Sequence, residues 1–196
     1  MIVLASASPI RSKLLERCGL DLVVDPARVD EAAIKASMLA EGAPARDIAD
    51  TLADVKAARV SSRHPGAFVI GADQVLVASG VLYDKPPDLE AAREQLEALS
   101  GTSHELLSAA VIYRDSRAEW RHIGQARLEM RALSSAFLDD YVARHRNDLL
   151  DTVGGYKLEE DGPLLFTRIE GDYFSVLGMP LLQILAHLRT RGLLRA

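Results

Sequence analysis

The chain has 196 residues, 48% of them apolar, and a net charge of −5. That length is enough to bury a core in one domain, and the composition excludes a disordered chain. The acidic balance argues against bulk nucleic-acid binding, and a lone cysteine, Cys18, excludes an internal disulfide framework and a Cys/His zinc pattern.

Residues 2–5 read as a buried strand. The opening apolar run is too short for a secretory segment and has no basic residues before it. No stretch approaches the roughly 20 apolar residues of a membrane helix. A reduced, cytoplasmic protein with no membrane or nucleic-acid partner is expected. Residues 10–18 read as a helix with Gly19 as its C-cap, and Cys18 joins Leu14 and Leu15 on its apolar face. Residues 20–24 form a second short strand. Helices follow at 31–40 and 46–61, split by Glu41-Gly42-Ala43-Pro44. The second carries an apolar stripe of Ile48, Leu52 and Val55.

Residues 67–71 read as a buried strand that continues through 75–77, turns at Ser79-Gly80 and returns through 81–83. A helix spans 89–99. Two strands span 105–113 and 118–131, with a turn at Asp115-Ser116. Ser134 caps a helix over 136–145, whose apolar face holds Phe137, Leu138 and Tyr141. A glycine-rich region begins at Gly154-Gly155-Tyr156. A strand covers 164–169 and a last helix 181–190. Strands and helices mix without strict alternation, which predicts an α/β or α+β fold with a mixed sheet.

Ser6-Ala7-Ser8-Pro9-Ile10-Arg11 gathers hydroxyls, a proline and a cation where a strand gives way to a helix. A helix start offers unpaired N–H groups and partial positive charge. Ser8 suits the cap and Pro9 the first helical position. Arg11 and Lys13 oppose the dipole, so helix stability does not account for them, whereas phosphate oxygens would. An ordinary capped helix with solvated charges is the other reading.

Asp73 interrupts an apolar strand just after Gly71 and Ala72. A buried carboxylate needs a partner or a metal; alternatively it faces water from a hairpin. Lys85, in Tyr83-Asp84-Lys85-Pro86-Pro87, returns on the other arm and either stands near Asp73 or fills a proline-bounded turn. Lys56 sits beside the apolar stripe of its helix, to reach into a site or to snorkel. Asp30-Glu31 suits a helix cap. Glu159 and Glu160 follow Lys157 in the glycine-rich segment and are open to solvation. His104 is the one histidine in a suggestive loop. There is no G-x-x-x-x-G-K-[ST], no G-x-G-x-x-G and no G-x-S-x-G.

Taken together, these stretches resemble the Maf family of nucleoside triphosphate pyrophosphatases, nearly end to end. The matching segments are S-A-S-P-x-R, Val29-Asp30-Glu31, Val55-Lys56-Ala57, Gly71-Ala72-Asp73 and Lys85-Pro86. Leu99 to His104 and Gly171 to Pro180 complete the set, all in the family's order. The resemblance implies one Maf-like domain over 1–196. Its fold would be an elongated α/β mixed sheet flanked by helices, with two lobes around a central nucleotide-binding cleft. It implies hydrolysis of a nucleoside triphosphate to monophosphate and pyrophosphate with a divalent cation, Mg²⁺ or Mn²⁺, by a homodimer.

By the same resemblance Asp73 is catalytic and, with Glu31, a metal ligand. Ser6, Ser8, Arg11, Lys56, Lys85 and Glu159 bind substrate. Three departures resemble the subgroup that prefers 7-methyl-GTP: Ile10 for a second arginine, Gln74 for threonine, and Lys157-Leu158-Glu159 in the later segment. A carboxylate at Glu159 suits a methylated guanine, which carries positive charge and a donating N–H edge. The alternatives are the same reaction on dTTP or UTP, and a non-catalytic nucleotide-binding regulator of septum formation in cell division.

Overall fold

The computed structural model describes residues 1–194. In chain order the elements begin β1 (Ile2–Leu4), α1 (Pro9–Arg17), β2 (Leu22–Val24), α2 (Glu31–Ala40) and α3 (Ala45–Ser61). There follow β3 (Phe68–Ala78), β4 (Val81–Tyr83), α4 (Leu89–Leu99), β5 (Ser103–Arg114) and β6 (Arg117–Met130). The last are α5 (Ser135–Arg144), α6 (Arg146–Asp151), β7 (Phe166–Gly171), α7 (Tyr173–Val176) and α8 (Leu181–Thr190).

The described residues form a seven-stranded sheet in the order β2-β1-β3-β5-β6-β7, with β4 paired to β3. β1 runs parallel to β2 and β3, while β3–β4 and β6–β7 are antiparallel. The sheet is therefore mixed, as expected. The three residues of β1 are all buried, as a parallel strand between two neighbours requires.

The chain divides into two compact units, and β3, β5 and β6 give residues to each. The first unit holds Met1–Gln74, Leu107–Gly124 and the segment from Asp172. Val3, Ala5, Val60, Ala67 and Val69 pack together in its core. Its longest helix, α3, buries Ile48, Ala49, Leu52, Ala53, Lys56, Ala57 and Val60. The expected stripe ended on Val55, but that residue is only half-buried and Lys56 lies on the core face instead.

Close packing explains the difference. A Cβ at Gly71 would stand 2.2 Å from the Ala53 carbonyl oxygen and 2.7 Å from the Ala57 nitrogen. The backbone of α3 thus rests directly on β3, through alanines on one side and a glycine on the other. One turn past Leu52, the same buried face presents Lys56 to the strand. Cys18 is half-buried at the C-cap of α1, whose core residues are Leu14 and Leu15.

The second unit holds Val75–Leu106 and Gln125–Gly171. The β3–β4 hairpin turns on Ser79 at φ 50° and Gly80 at φ 80°, the left-handed pair that a two-residue turn of this type demands. Asp88 caps α4 through the Ala91 N–H at 2.8 Å, and Ser134 caps α5 through the Phe137 N–H at 3.2 Å. Leu96, Leu99, Leu138, Tyr141, Leu149, Tyr156 and Leu165 are buried here.

Two expectations change in this unit. The short helix α6 follows α5 almost without a break, where the sequence offers neither an apolar stripe nor a separate cap. The strand expected over 164–169 begins only at Phe166. Gly162–Leu165 is a single turn of 3₁₀ helix with Pro163 as its second residue, so the run Leu164-Leu165 is not extended.

Candidate active site

In the first unit a single ammonium gathers two carboxylates. Lys56 Nζ donates to Asp73 Oδ1 at 2.6 Å and lies 2.9 Å from Glu31 Oε1. The Lys56 and Asp73 side chains are each 8% exposed, whereas Glu31 is 43% exposed. A buried charge is costly unless paired, and here each of the two is. Glu31 reaches the pair from the first turn of α2, which Asp30 fixes by accepting the Ala33 N–H at 3.0 Å. Asp73 is therefore not a hairpin residue facing water, and Lys56 does not snorkel to the surface.

Arg11 lies in the same unit, one turn into α1. Its Nε donates to the Gly178 carbonyl at 2.9 Å. Its Nη1 donates to the Ala72 carbonyl at 2.8 Å and to Ser6 Oγ at 3.1 Å. Three of the five guanidinium N–H groups are thus used by the fold, and among the described residues no hydrogen bond engages the two on Nη2. Burial pulls this guanidinium below its ordinary value, against the pull of Asp73 and Glu31. An arginine stays charged under that pressure.

The start of α1 is built differently from the expectation. Ser8 occupies the N-cap position, with Pro9 behind it, but its hydroxyl makes no capping hydrogen bond. Ser6 is the engaged hydroxyl: it is buried and accepts from the Ser8 N–H at 3.3 Å as well as from Arg11. The first N–H groups of α1 therefore keep no side-chain acceptor, which suits an anion at this end of the helix.

Ser6, Ser8, Arg11, Glu31, Lys56 and Asp73 all belong to the first unit, and Lys85 and Glu159 to the second. Lys85 is exposed, two residues past the Leu76–Tyr83 pair that ends the β3–β4 ladder. Glu159 is exposed in a loop closed by neighbours on both sides. Lys157 pairs with Asp148 and lies 3.6 Å from Glu160. Arg144 donates to Asp161 at 2.6 Å, and the Gly162 N–H donates to the Lys157 carbonyl at 3.0 Å. Within that loop Glu159 is the carboxylate that no described ion pair engages.

Among the described residues His145, Asp148 and Glu160 form one group of metal-ligand type, their ligand atoms within 4.8 Å of one another. Lys157 already supplies a positive charge to both carboxylates of that group.

His104, expected in a loop, is the second residue of β5. It is buried in the second unit, its Nε2 2.7 Å from the Tyr156 hydroxyl, with Phe166 alongside. Burial pushes its pKa down to about 4. The unfolded chain, with an ordinary histidine near 6.5, takes up a proton first as the pH falls. Stability is therefore full above about pH 6.5 and is lost as the pH drops towards 4, by up to about 3 kcal/mol from this residue. Urea midpoints measured between pH 7.5 and 4.5 should fall along that slope, and a His104→Gln variant should flatten it.

A second set of residues has no role assigned from sequence. Gln74, Ser108, Ser175 and Gly178 hold the segment that carries Arg11's carbonyl partner. The signal available is the string Ser175-Val176-Leu177-Gly178-Met179-Pro180, a glycine and proline inside an apolar run.

The family model described as Maf-like protein matches residues 1–191. The chain is 53% identical over 193 residues to a nucleoside triphosphate pyrophosphatase from Ruegeria pomeroyi, covering 98% of this chain and 97% of that one. It is 52% identical over 191 residues to a nucleoside triphosphate pyrophosphatase from Roseobacter denitrificans, covering 97% and 96%. It is 47% identical over 191 residues to a 7-methyl-GTP pyrophosphatase from Mesorhizobium japonicum, again covering 97% and 96%.

Proposed function

The chain belongs to the Maf-like family and is a nucleoside triphosphate pyrophosphatase, and we propose that its favoured substrate is 7-methyl-GTP. The observation that carries the hydrolytic reading is the pair of carboxylates, Asp73 and Glu31, gathered on Lys56 with Arg11 in the same unit. In the reaction a water oxygen bonds to phosphorus, the α–β anhydride bond breaks, and pyrophosphate leaves the nucleoside monophosphate. Asp73 takes the water's proton. Arg11 Nη2, Lys56 and the open N–H groups of α1 meet the charge that grows on phosphoryl oxygens, and Lys85 is assigned to substrate binding by its match to the family's Lys-Pro motif alone. Ser6 orients Arg11, and the Ser8 hydroxyl is available to a phosphate oxygen.

The donor set fits a divalent cation. Two carboxylates converge on one positive charge, and Mg²⁺ binds through one or two carboxylates together with substrate phosphates. Asp73 and Glu31 would hold it, and when bound it polarises the phosphoryl group and lowers the pKa of water. We read the protein as a single-domain cytoplasmic homodimer using Mg²⁺ or Mn²⁺, clearing modified nucleotides rather than acting as a passive regulator of septum formation.

The base preference is supported by Ile10, Gln74 and the exposed carboxylate of Glu159, and by the similarity to a relative named for 7-methyl-GTP. A methylated guanine carries a positive charge and an N–H edge of the kind a carboxylate accepts. The test is kcat/KM across 7-methyl-GTP, GTP, dTTP, UTP and CTP with Mg²⁺ and with Mn²⁺. At least a tenfold preference for 7-methyl-GTP is expected, which corresponds to about 1.4 kcal/mol. A preference for dTTP or UTP would overturn the choice of base. Tight binding with no release from any of them would overturn the enzyme assignment in favour of the regulator.

A further inference from the structure

We propose that Gln74 is a positioning residue that aims Arg11, acting through the turn at residues 175–178; this rests on Arg11 meeting phosphate. Side chains alternate along a strand, so Asp73 and its successor Gln74 serve opposite faces of β3. Asp73 turns to Lys56. Gln74 turns to the segment after β7, where its Nε2 donates to the Val176 carbonyl at 3.0 Å and the Ser175 carbonyl at 3.1 Å. The same amide lies 2.9 Å from Ser108 Oγ, and Ser108 in turn donates to the Ser175 carbonyl at 2.6 Å.

This turn ends on the group that holds Arg11. The Gly178 N–H donates to the Ser175 carbonyl at 3.2 Å, and the Gly178 carbonyl accepts Arg11 Nε at 2.9 Å. Gly178 sits at φ +95°, and a Cβ there would lie 3.4 Å from both Arg11 Nε and Nη2 and 3.6 Å from Gln74 Oε1. Arg11 and Gln74 therefore flank the same glycine. Behind the turn, Asp172 accepts from the Ser175 hydroxyl at 2.6 Å, and a Cβ at Gly124 would stand 2.2 Å from that hydroxyl oxygen. Asp172 and Gly124 thus hold the turn from one side, and Ser108 and Gln74 hold it from the other.

The consequence concerns the free end of the guanidinium. A planar guanidinium has a fixed fork, so an acceptor at Nε also sets where Nη2 points. Removing the amide of Gln74 leaves the Val176 carbonyl without its donor and frees the turn to shift. Arg11 then keeps its charge and its Nη1 bonds to Ala72 and Ser6 but loses the fixed acceptor at Nε, so Nη2 is held less tightly. Gln74 touches no reacting atom in this scheme; it acts on ground-state binding of phosphate through Arg11.

The test is a double-mutant cycle on the full-length enzyme, with steady-state kinetics on its best substrate and pyrophosphate affinity by calorimetry. Arg11→Met should raise KM by at least about thirtyfold. Gln74→Leu should raise KM about tenfold while changing kcat less than about threefold. The double variant should match Arg11→Met within about twofold, because Gln74 has nothing left to position. Gln74→Met is the alternative should the leucine variant fold poorly, and it should give the same split. Multiplying effects in the double variant would overturn the proposal alone. An unchanged KM in Arg11→Met would overturn the reading of Arg11, and the proposal with it.

Discussion

Replacing Asp73 with asparagine should lower kcat by about a thousandfold while the chain stays folded. A positioned general base contributes on the order of 10² to 10⁴ in rate, and asparagine cannot take a proton. Folding survives because the replacement has the same shape. Its amide oxygen can still accept from Lys56, and Lys56 keeps Glu31 at 2.9 Å as a charged partner. The shift in thermal midpoint should therefore be a few degrees, on the scale of about 1 kcal/mol. Steady-state turnover beside a thermal melt separates the two effects. Turnover within about threefold of the parent would remove Asp73 from the catalytic role.

Replacing Lys56 with methionine should cost both stability and activity. The lysine lies on the core face of α3, and its ammonium is the nearest positive charge to a buried carboxylate at 2.6 Å. Breaking a buried pair from one side leaves the other charge uncompensated, at about 3–5 kcal/mol. Activity should fall by at least about a hundredfold, since a cation directed at phosphoryl charge is removed as well. The double variant Lys56→Met with Asp73→Asn should regain most of the lost stability and none of the activity, because no unpaired charge then remains inside. Urea titrations of the two single variants and the double measure this directly. A loss below about 1 kcal/mol in Lys56→Met would show that the pair is not the buried element described here.

Both predictions depend on a feature that the sequence displays only in part. The identity of Lys56 as a site residue comes from family resemblance; its helix reads as a stripe of Ile48, Leu52 and Val55. Periodicity places apolar residues well and has no means of placing a lysine on a core face. That position makes sense only once Asp73 is across from it, and Asp73 is brought there by Gly71 letting α3 touch the strand. The contact is tertiary, so no local pattern carries it.

Where an element is fixed by its own residues, the sequence is sufficient. The helices α2, α4 and α8 have the bounds expected of them, the first two with an aspartate cap at the preceding position. α6 is not legible because its N-cap, His145, is also the C-cap of α5, and the Gly162–Leu165 turn reads as strand because it is apolar.

The start of α1 shows the same division. Serine, proline and arginine announce a helix start with spare N–H groups, and that much is in the structure. Which hydroxyl does the work is not announced: Ser8 holds the cap position without capping, while Ser6 supports Arg11. Gln74 is legible as a departure from the commoner threonine and nothing more. Its partners, Ser108, Ser175 and Val176, lie 34 to 102 residues away in sequence.

The central claim is that water opens the α–β anhydride of a nucleoside triphosphate in a site built on Asp73, Glu31, Lys56 and Arg11. Product analysis tests it most directly: purified enzyme with 7-methyl-GTP and Mg²⁺, the products separated and counted over the time course. One pyrophosphate for each nucleoside monophosphate, with no diphosphate and no free phosphate at any time, is the predicted result. Nucleoside diphosphate with inorganic phosphate as the first products would contradict it.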